Sequence, residues 1–289
     1  MTKKILITGA NGQLGHEMRN LLADDSRFEC RFTDVAELDI CDAQAVSRAL
    51  AEAPVDYVVN CAAYTQVDKA EENVELCRRI NAEAVGNLAR AAAACGARMI
   101  HISTDYVFDG HGYRPYTETM QPHPQSVYGS TKLEGEELLT RYCPQSVILR
   151  TAWLYSPYGN NFVKTMLRLG HEREELTVVA DQIGTPTCAA DLALVVRTVL
   201  LADRFVPGIY HVSDEGACSW YDFAVAIHRL AGITTCRVKP IRSDEYPSRA
   251  RRPFYSVLDK SKIKQTYGLT LPHWYESLSH CINLLQETH

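Results

Sequence analysis

The sequence predicts an α/β chain, a doubly wound parallel sheet with a smaller C-terminal lobe. Three observations carry that expectation. Short apolar runs alternate with helical segments through the first half, a glycine turn follows the first run, and proline- and glycine-rich pieces take over beyond about residue 155. Strands separated by helices imply βαβ units with helices on both faces of the sheet. Strands covered in this way read as continuous apolar runs.

The elements follow in order. KKILITG is the first strand, and GQLGHEMRNLLAD is a helix with apolar residues at helical spacing. FECRFTD (strand), DAQAVSRALAEA (helix) and VDYVVNCAA (strand) come next. NVELCRRINAEAVGNLARAAAACG reads as one long helix ended by Gly96, a residue suited to the left-handed turn after a C-cap. ARMIHISTD is a strand, QSVYGSTKLEGEELLTRY a helix and SVILRTAW a further strand. Residues 1–154 are therefore expected to form a nucleotide-binding domain. Residues 155–289 are expected to be mainly a second lobe covering one end of the sheet, interleaved with late elements of the first domain. That lobe contains SPYGNN, DQIGTPT, SWYDFAVAIHRLAG and IRSDEYPSRARRP.

At 289 residues, 46% hydrophobic and 22% charged, the composition is that of an ordinary globular chain. A formal net charge of −5 without a Lys/Arg-rich run gives no footprint for nucleic acid or an anionic membrane. The most apolar stretch, DLALVVRTVLLA, is too short for a span and carries charges. The N-terminus enters a strand directly, with no apolar signal core, so a cytoplasmic location is expected. The ten cysteines are scattered singly, with no CxxC and no Cys/His ligand spacing. They are expected to be reduced, and no metal is expected.

Gly9, Gly12 and Gly15 form GANGQLG between the first strand and the first helix, with Gln13 and Leu14 inside the motif. A turn without Cβ atoms lets backbone N–H groups approach a pyrophosphate at the positive end of a helix, as in Rossmann-type sheets. Nineteen residues after Gly15, Asp34 ends the second strand. An acid there accepts from the adenosine ribose hydroxyls and repels a 2′-phosphate, which favours NADH over NADPH. Asp39 and Ile40 follow where the adenine would lie. Ligand crevices sit at the carboxyl ends of such strands. Ala62, Ala63, Tyr64 and Thr65 are accordingly placed along the cofactor, with Ser103, Thr104 and Asp105 beside its nicotinamide. Tyr128 and Lys132, in YGSTK, are i and i+4 on one helix face. An ammonium beside a phenol is expected to lower the phenol's pKa from about 10 toward the working range of an acid–base catalyst. With the Thr104 hydroxyl as partner, this set suits reduction of a carbonyl or its reverse.

These motifs, with NCAAYTQVDKAE, STDYVFDG, RTAWLY, GNNFVKTML and DQIGTPT, make the chain resemble the extended short-chain dehydrogenase/reductase superfamily. Within it, the sequence is most similar to the dTDP-4-dehydrorhamnose reductase family. That resemblance implies NAD(P)H as hydride source and a dTDP-sugar substrate. It also implies Tyr128 as proton donor to the C4 oxygen, with Lys132 tuning Tyr128 and holding the nicotinamide ribose. Thr104, Asp105 and Trp153 are implied at the sugar, and Asn161, Lys164 and Arg252 at the diphosphate end. Some members are magnesium-bridged dimers. Only Glu17 stands where such a ligand would be, so the expectation is a monomer or homodimer without an assigned metal.

Nucleotide-sugar 4,6-dehydratases of the superfamily place Thr-Asp-Glu after the same strand. Here the sequence is Thr104-Asp105-Tyr106, which argues against dehydration. A 4-epimerase, or a non-catalytic NAD(P)-binding regulatory subunit, is the alternative the sequence leaves open.

Overall fold

The protein is described by a computed structural model over residues 2–287; Met1, Thr288 and His289, at the ends of the two expected ranges, lie outside the described residues. The chain opens with β1 (Lys3–Thr8), α1 (Gln13–Leu22), β2 (Phe28–Thr33), α2 (Ala43–Glu52) and β3 (Tyr57–Asn60). Short helices α3 (Val67–Ala70) and α4 (Val74–Arg78) lead into α5 (Ala84–Ala94), followed by β4 (Arg98–Thr104), α6 (Val127–Tyr142) and β5 (Ser146–Thr151). The remainder runs β6 (Leu154–Tyr155), α7 (Phe162–Glu172), β7 (Glu175–Val179), β8 (Ile183–Gly184), β9 (Thr187–Cys188) and α8 (Ala189–Leu201). It ends with β10 (Gly208–His211), β11 (Cys218–Ser219), α9 (Trp220–Leu230), β12 (Arg237–Ile241), α10 (Ser261–Tyr267) and α11 (Trp274–Glu287).

The expected doubly wound sheet is present. Six strands lie in the order β10-β5-β4-β3-β1-β2, and every neighbouring pair is parallel. Side chains alternate between its faces. From β1, Ile5 and Ile7 join Leu14 and Met18 of α1 and Leu192 and Val196 of α8 in one core. Leu6 belongs to the opposite core with Val46 of α2, Leu88 of α5 and Leu139 of α6. Each such side chain, fully buried, contributes about 1.5–3 kcal/mol. Because β2 and β3 flank β1 on opposite sides, the strand order reverses there. The crevice outside the carboxyl ends of β1 and β3 is where ligands sit in such sheets.

Two features depart from a simple reading of the alternation. The helix expected over 73–96 is not uniform, because Arg79–Glu83 forms a π-helical turn between α4 and α5. It ends as expected at Gly96, which takes φ +74. The sixth strand, β10, and the helix α8 come from beyond residue 155 and pack on the sheet.

The other late elements have their own core of Tyr155, Val163, Phe223, Trp274 and Leu278, with partners from α7, α9 and α11. The start of α9 is fixed by a reciprocal cap: Ser219 Oγ accepts from the Asp222 N–H, and the Asp222 carboxylate accepts from the Ser219 N–H. Satisfying two otherwise orphaned donors in this way pins the helix start.

Candidate active site

The three motif glycines do different work. Gly9 has φ +66, and a Cβ there would stand 2.6 Å from the Ala62 nitrogen, so its absence lets the ends of β1 and β3 touch. A Cβ on Gly15 would lie 2.3 Å from the Gly9 carbonyl oxygen, which makes Gly15 a packing glycine under the turn. Gly12 is the extended N-cap of α1, and its N–H donates to the Gly9 carbonyl at 3.0 Å. At the end of β2, the Asp34 carboxylate accepts from the Asn11 N–H at 2.9 Å and from the Val35 N–H at 2.8 Å. The acid is thereby held across the mouth of the glycine turn.

One cleft of about 1270 Å³ gathers nearly all the residues singled out from sequence. Gly9, Gly12, Gln13, Leu14, Asp34, Asp39, Ile40, Ala62, Ala63 and Thr65 line one part of it. Thr104, Asp105, Tyr128, Lys132, Trp153, Asn161 and Arg252 line the rest. Gly15 and Tyr64 do not line it. Tyr64 contributes its backbone to a different purpose: its N–H donates to Asn81 Oδ1 at 2.8 Å, and its carbonyl accepts from Asn81 Nδ2 at 3.1 Å. That double bond steers the chain out of β3 along the cleft, with Asn81 presented by the π turn.

Tyr128 stands in the first turn of α6, where Ser126 Oγ accepts from the Gly129 N–H at 3.1 Å. Such a cap fixes where a helix begins. Gly129 and Gly135 bring α6 close to its neighbours, since a Cβ on either would come within 2.2 Å of the carbonyl oxygen of Tyr106 or of Asn81. The Tyr106 ring meets the Tyr128 ring edge-on, with centroids 5.5 Å apart. The Thr104 hydroxyl donates to Asp105 Oδ1 at 3.0 Å and accepts from the Tyr106 N–H at 3.2 Å.

The electrostatics correct one expectation. The Tyr128 phenol is not lowered; burial pushes its pKa above the ordinary tyrosine value, and hydrogen bonding with Thr104 only partly offsets this. Lys132 is 1% exposed and its pKa falls to about 8, because burial disfavours the charged amine. Lys132 Nζ spends its short contact on the Ile102 carbonyl at 2.6 Å. Burial also raises Asp105 to about 6. Behind this wall Arg150 pairs with Glu136 at 2.6 Å, both side chains being almost wholly buried, and Ser103 Oγ donates to the same carboxylate at 2.5 Å.

On the lobe side, Trp153 takes φ +48, a conformation rare for a bulky residue, and stacks on Trp220 with ring centroids 3.5 Å apart. Trp220 also lines the cleft, and sequence reasoning missed it; an aromatic at the start of a capped helix carries no local signal of this partnership. Lys69 and Arg79, cations lining the cleft, were likewise not singled out. Asn161 caps α7 by accepting from the Lys164 N–H at 3.1 Å, while its Nδ2 donates to Gln13 Oε1 at 2.9 Å. Lys164 itself turns to the Pro157 carbonyl at 3.1 Å. Arg252 pairs with Asp68 at 2.5 Å and reaches toward the Tyr106 hydroxyl. Glu17 is half-buried on α1, where burial and Asp191 of α8 raise its pKa.

The glycine cradle, the N-terminus of α1 and Asp34 have the donors and the acid that suit a dinucleotide, and the phenol, amine and hydroxyl line the same cleft. Comparison with known proteins gives the family. The sequence profile of a family described as "RmlD substrate binding domain" matches residues 3–287. A dTDP-4-dehydrorhamnose reductase of Aggregatibacter actinomycetemcomitans is 43% identical, over 95% of this chain and 97% of its own length. The crystal structure of a dTDP-4-dehydrorhamnose reductase from Clostridium acetobutylicum is 50% identical, with a TM-score of 0.94 over 98% of this chain and 99% of that one. A Bacillus anthracis dTDP-4-dehydrorhamnose reductase, solved in complex with NADP, is 39% identical with a TM-score of 0.94 over 98% of this chain and all of that one. This chain therefore belongs to the RmlD substrate binding domain family, within the extended short-chain dehydrogenase/reductases.

Proposed function

We propose that the cleft reduces the C4 ketone of dTDP-4-dehydro-β-L-rhamnose to dTDP-L-rhamnose with NAD(P)H, and that Tyr128 is the proton donor. The observation that carries this reading is the meeting of Thr104, Tyr128 and Lys132 in the same cleft as the Gly9–Gly12 turn and Asp34. NAD(P)H, when bound, supplies hydride to the substrate carbon. Tyr128, kept protonated by its surroundings, gives its proton to the oxygen that becomes the alcohol. Thr104 holds that oxygen from the strand side. Lys132 favours the phenolate left behind and holds the nicotinamide ribose. Trp153, Asp105, Asn161 and Arg252 bind the sugar nucleotide, with Arg252 suited to its diphosphate.

Asp34 supports NADH as the preferred reductant, because a 2′-phosphate would meet its carboxylate. The purified protein is expected to oxidise NADH in proportion to added dTDP-4-dehydro-β-L-rhamnose. An epimerase would show no net consumption, and a binding subunit none at all. A kcat/KM clearly higher with NADPH would remove Asp34 from the ribose.

A further inference from the structure

His101 lies on β4 with none of its side chain exposed, directly behind Lys132, and none of the chemistry above uses it. Its neighbours fix which of its nitrogens carries a proton. Asn60 Oδ1 receives the Ala62 backbone N–H at 3.1 Å, and a backbone N–H can only donate, so that atom is the amide oxygen. The Thr8 hydroxyl donates to the same oxygen at 2.7 Å. The other end of the Asn60 amide, Nδ2, therefore faces His101 Nδ1 at 3.1 Å and donates to it. A neutral imidazole that accepts at Nδ1 carries its hydrogen on Nε2. Nε2 is the atom that faces Lys132 Nζ, at 3.4 Å.

We propose that His101, oriented by Asn60, is a positioning residue that presents an N–H to Lys132 Nζ and so sets the pH at which Lys132 gives up its charge. An N–H cannot accept from an ammonium, whereas it can donate to the lone pair of a neutral amine. The ammonium is left with the Ile102 carbonyl as its acceptor on this side. The same Asn60 oxygen that orients His101 also holds Ala62, whose backbone abuts Gly9. The cofactor turn and the catalytic amine are thus tied through a single amide.

The other titratable groups acting on Lys132 are Glu136, one turn further along α6, and Cys77 of α4. Glu136 is committed to Arg150 of β5 and to Ser103 of β4. Asp105 and Tyr106 act on Tyr128 at the cleft end. His101 cannot answer by becoming cationic, since burial and Lys132 hold its pKa far below the ordinary histidine value.

The inference rests on Tyr128 and Lys132 as the catalytic pair, and its test begins without substrate. Nitrogen-15 NMR of the histidine side chains, with the His101 signals identified by their loss in His101→Gln, is expected to show the neutral Nε2–H form from about pH 5 to about pH 8. Asn60→Asp places a carboxylate opposite Nδ1, so the proton should move to Nδ1 and leave the Nε2 lone pair facing Lys132. In that variant, and in His101→Gln where the amide oxygen can turn to the ammonium, the alkaline limb of the kcat profile should move up by about half a pH unit or more. An Nδ1–H or protonated His101 in the unsubstituted protein would overturn the proposal. So would variants that lose stability or rate while their alkaline limb stays in place. Lack of reductase activity with the expected sugar nucleotide would instead strike the functional reading, because the NMR result stands apart from it.

Discussion

The two walls of the cleft are built in different ways. The sheet-side wall is made of short local motifs: a glycine turn, the ends of β1, β3 and β4, and the face of α6 that carries Tyr128 and Lys132 four residues apart. Its polar groups are anchored to the backbone, as Lys132 is to Ile102 and Asp34 to Asn11. The lobe-side wall is assembled from side chains that meet across long stretches of chain, Trp153 on Trp220, Asn161 on Gln13 and Arg252 on Asp68. The first wall is as rigid as the sheet it rests on. The second depends on how the late elements pack, which suits a surface that has to recognise one particular ligand.

Substitutions on each wall should therefore fail differently. The largest effect is expected for Tyr128→Phe, which should lower kcat by about 10²–10⁴-fold with NADH affinity nearly intact. A variant retaining full kcat, measured by NADH oxidation, would break the assignment of chemistry to the sheet-side wall. Next, Arg150→Met leaves the Glu136 carboxylate buried without its partner and should cost about 3–5 kcal/mol of stability by chemical denaturation. Equal stability would show that the sheet side does not depend on its buried pair.

On the lobe side, Trp220→Ala should raise the substrate KM about tenfold by removing the stacked partner of Trp153, while the NADH KM stays put. A rise in both would mean that the walls are not separable. The smallest effect concerns Asp214, beside β9, whose carboxylate accepts from the Cys188 N–H at 3.0 Å and whose pKa burial raises to about 8. A carboxyl that binds its proton more tightly when folded loses its stabilising contribution as pH rises from the unfolded value, about 4, to the folded one. Asp214→Asn removes that dependence. The melting temperature of the variant should gain on that of the unsubstituted protein as pH rises through this window, and a constant difference would refute the assignment.

The same contrast explains what could be read from sequence. Gly9, Gly12, Gly15, Asp34 and the Tyr128–Lys132 pair are legible because each depends on local spacing: a strand, a turn, a helix face. Trp220 was not, because nothing near SWYDF indicates that its ring will lie on one 67 positions earlier. Asn161 and Arg252 were named, but their engagement with Gln13 and Asp68, across 148 and 184 positions, was not visible. The direction of the Tyr128 shift is hidden from the sequence for a related reason. Spacing shows which groups are near one another, whereas burial, which dominates here, is a property of the whole fold.

The π turn at Arg79–Glu83 carries a further consequence, for which chain lengths this fold tolerates. A π turn holds one residue more than the α ladder needs, so deleting one residue there would let the helix close into unbroken α geometry with α5 keeping its face on the sheet. Ala84, Val85, Leu88, Ala89 and Ala92 of α5 would stay in the core, whereas Asn81, presented by the widened turn, would leave the Tyr64 backbone. The turn in effect absorbs one residue that the core does not require and the cleft wall uses, through Asn81. In a scan of single-residue deletions, loss of one residue between Arg79 and Glu83 should therefore spare the fold more than the cleft, read as a nearly retained melting temperature with weakened cofactor binding.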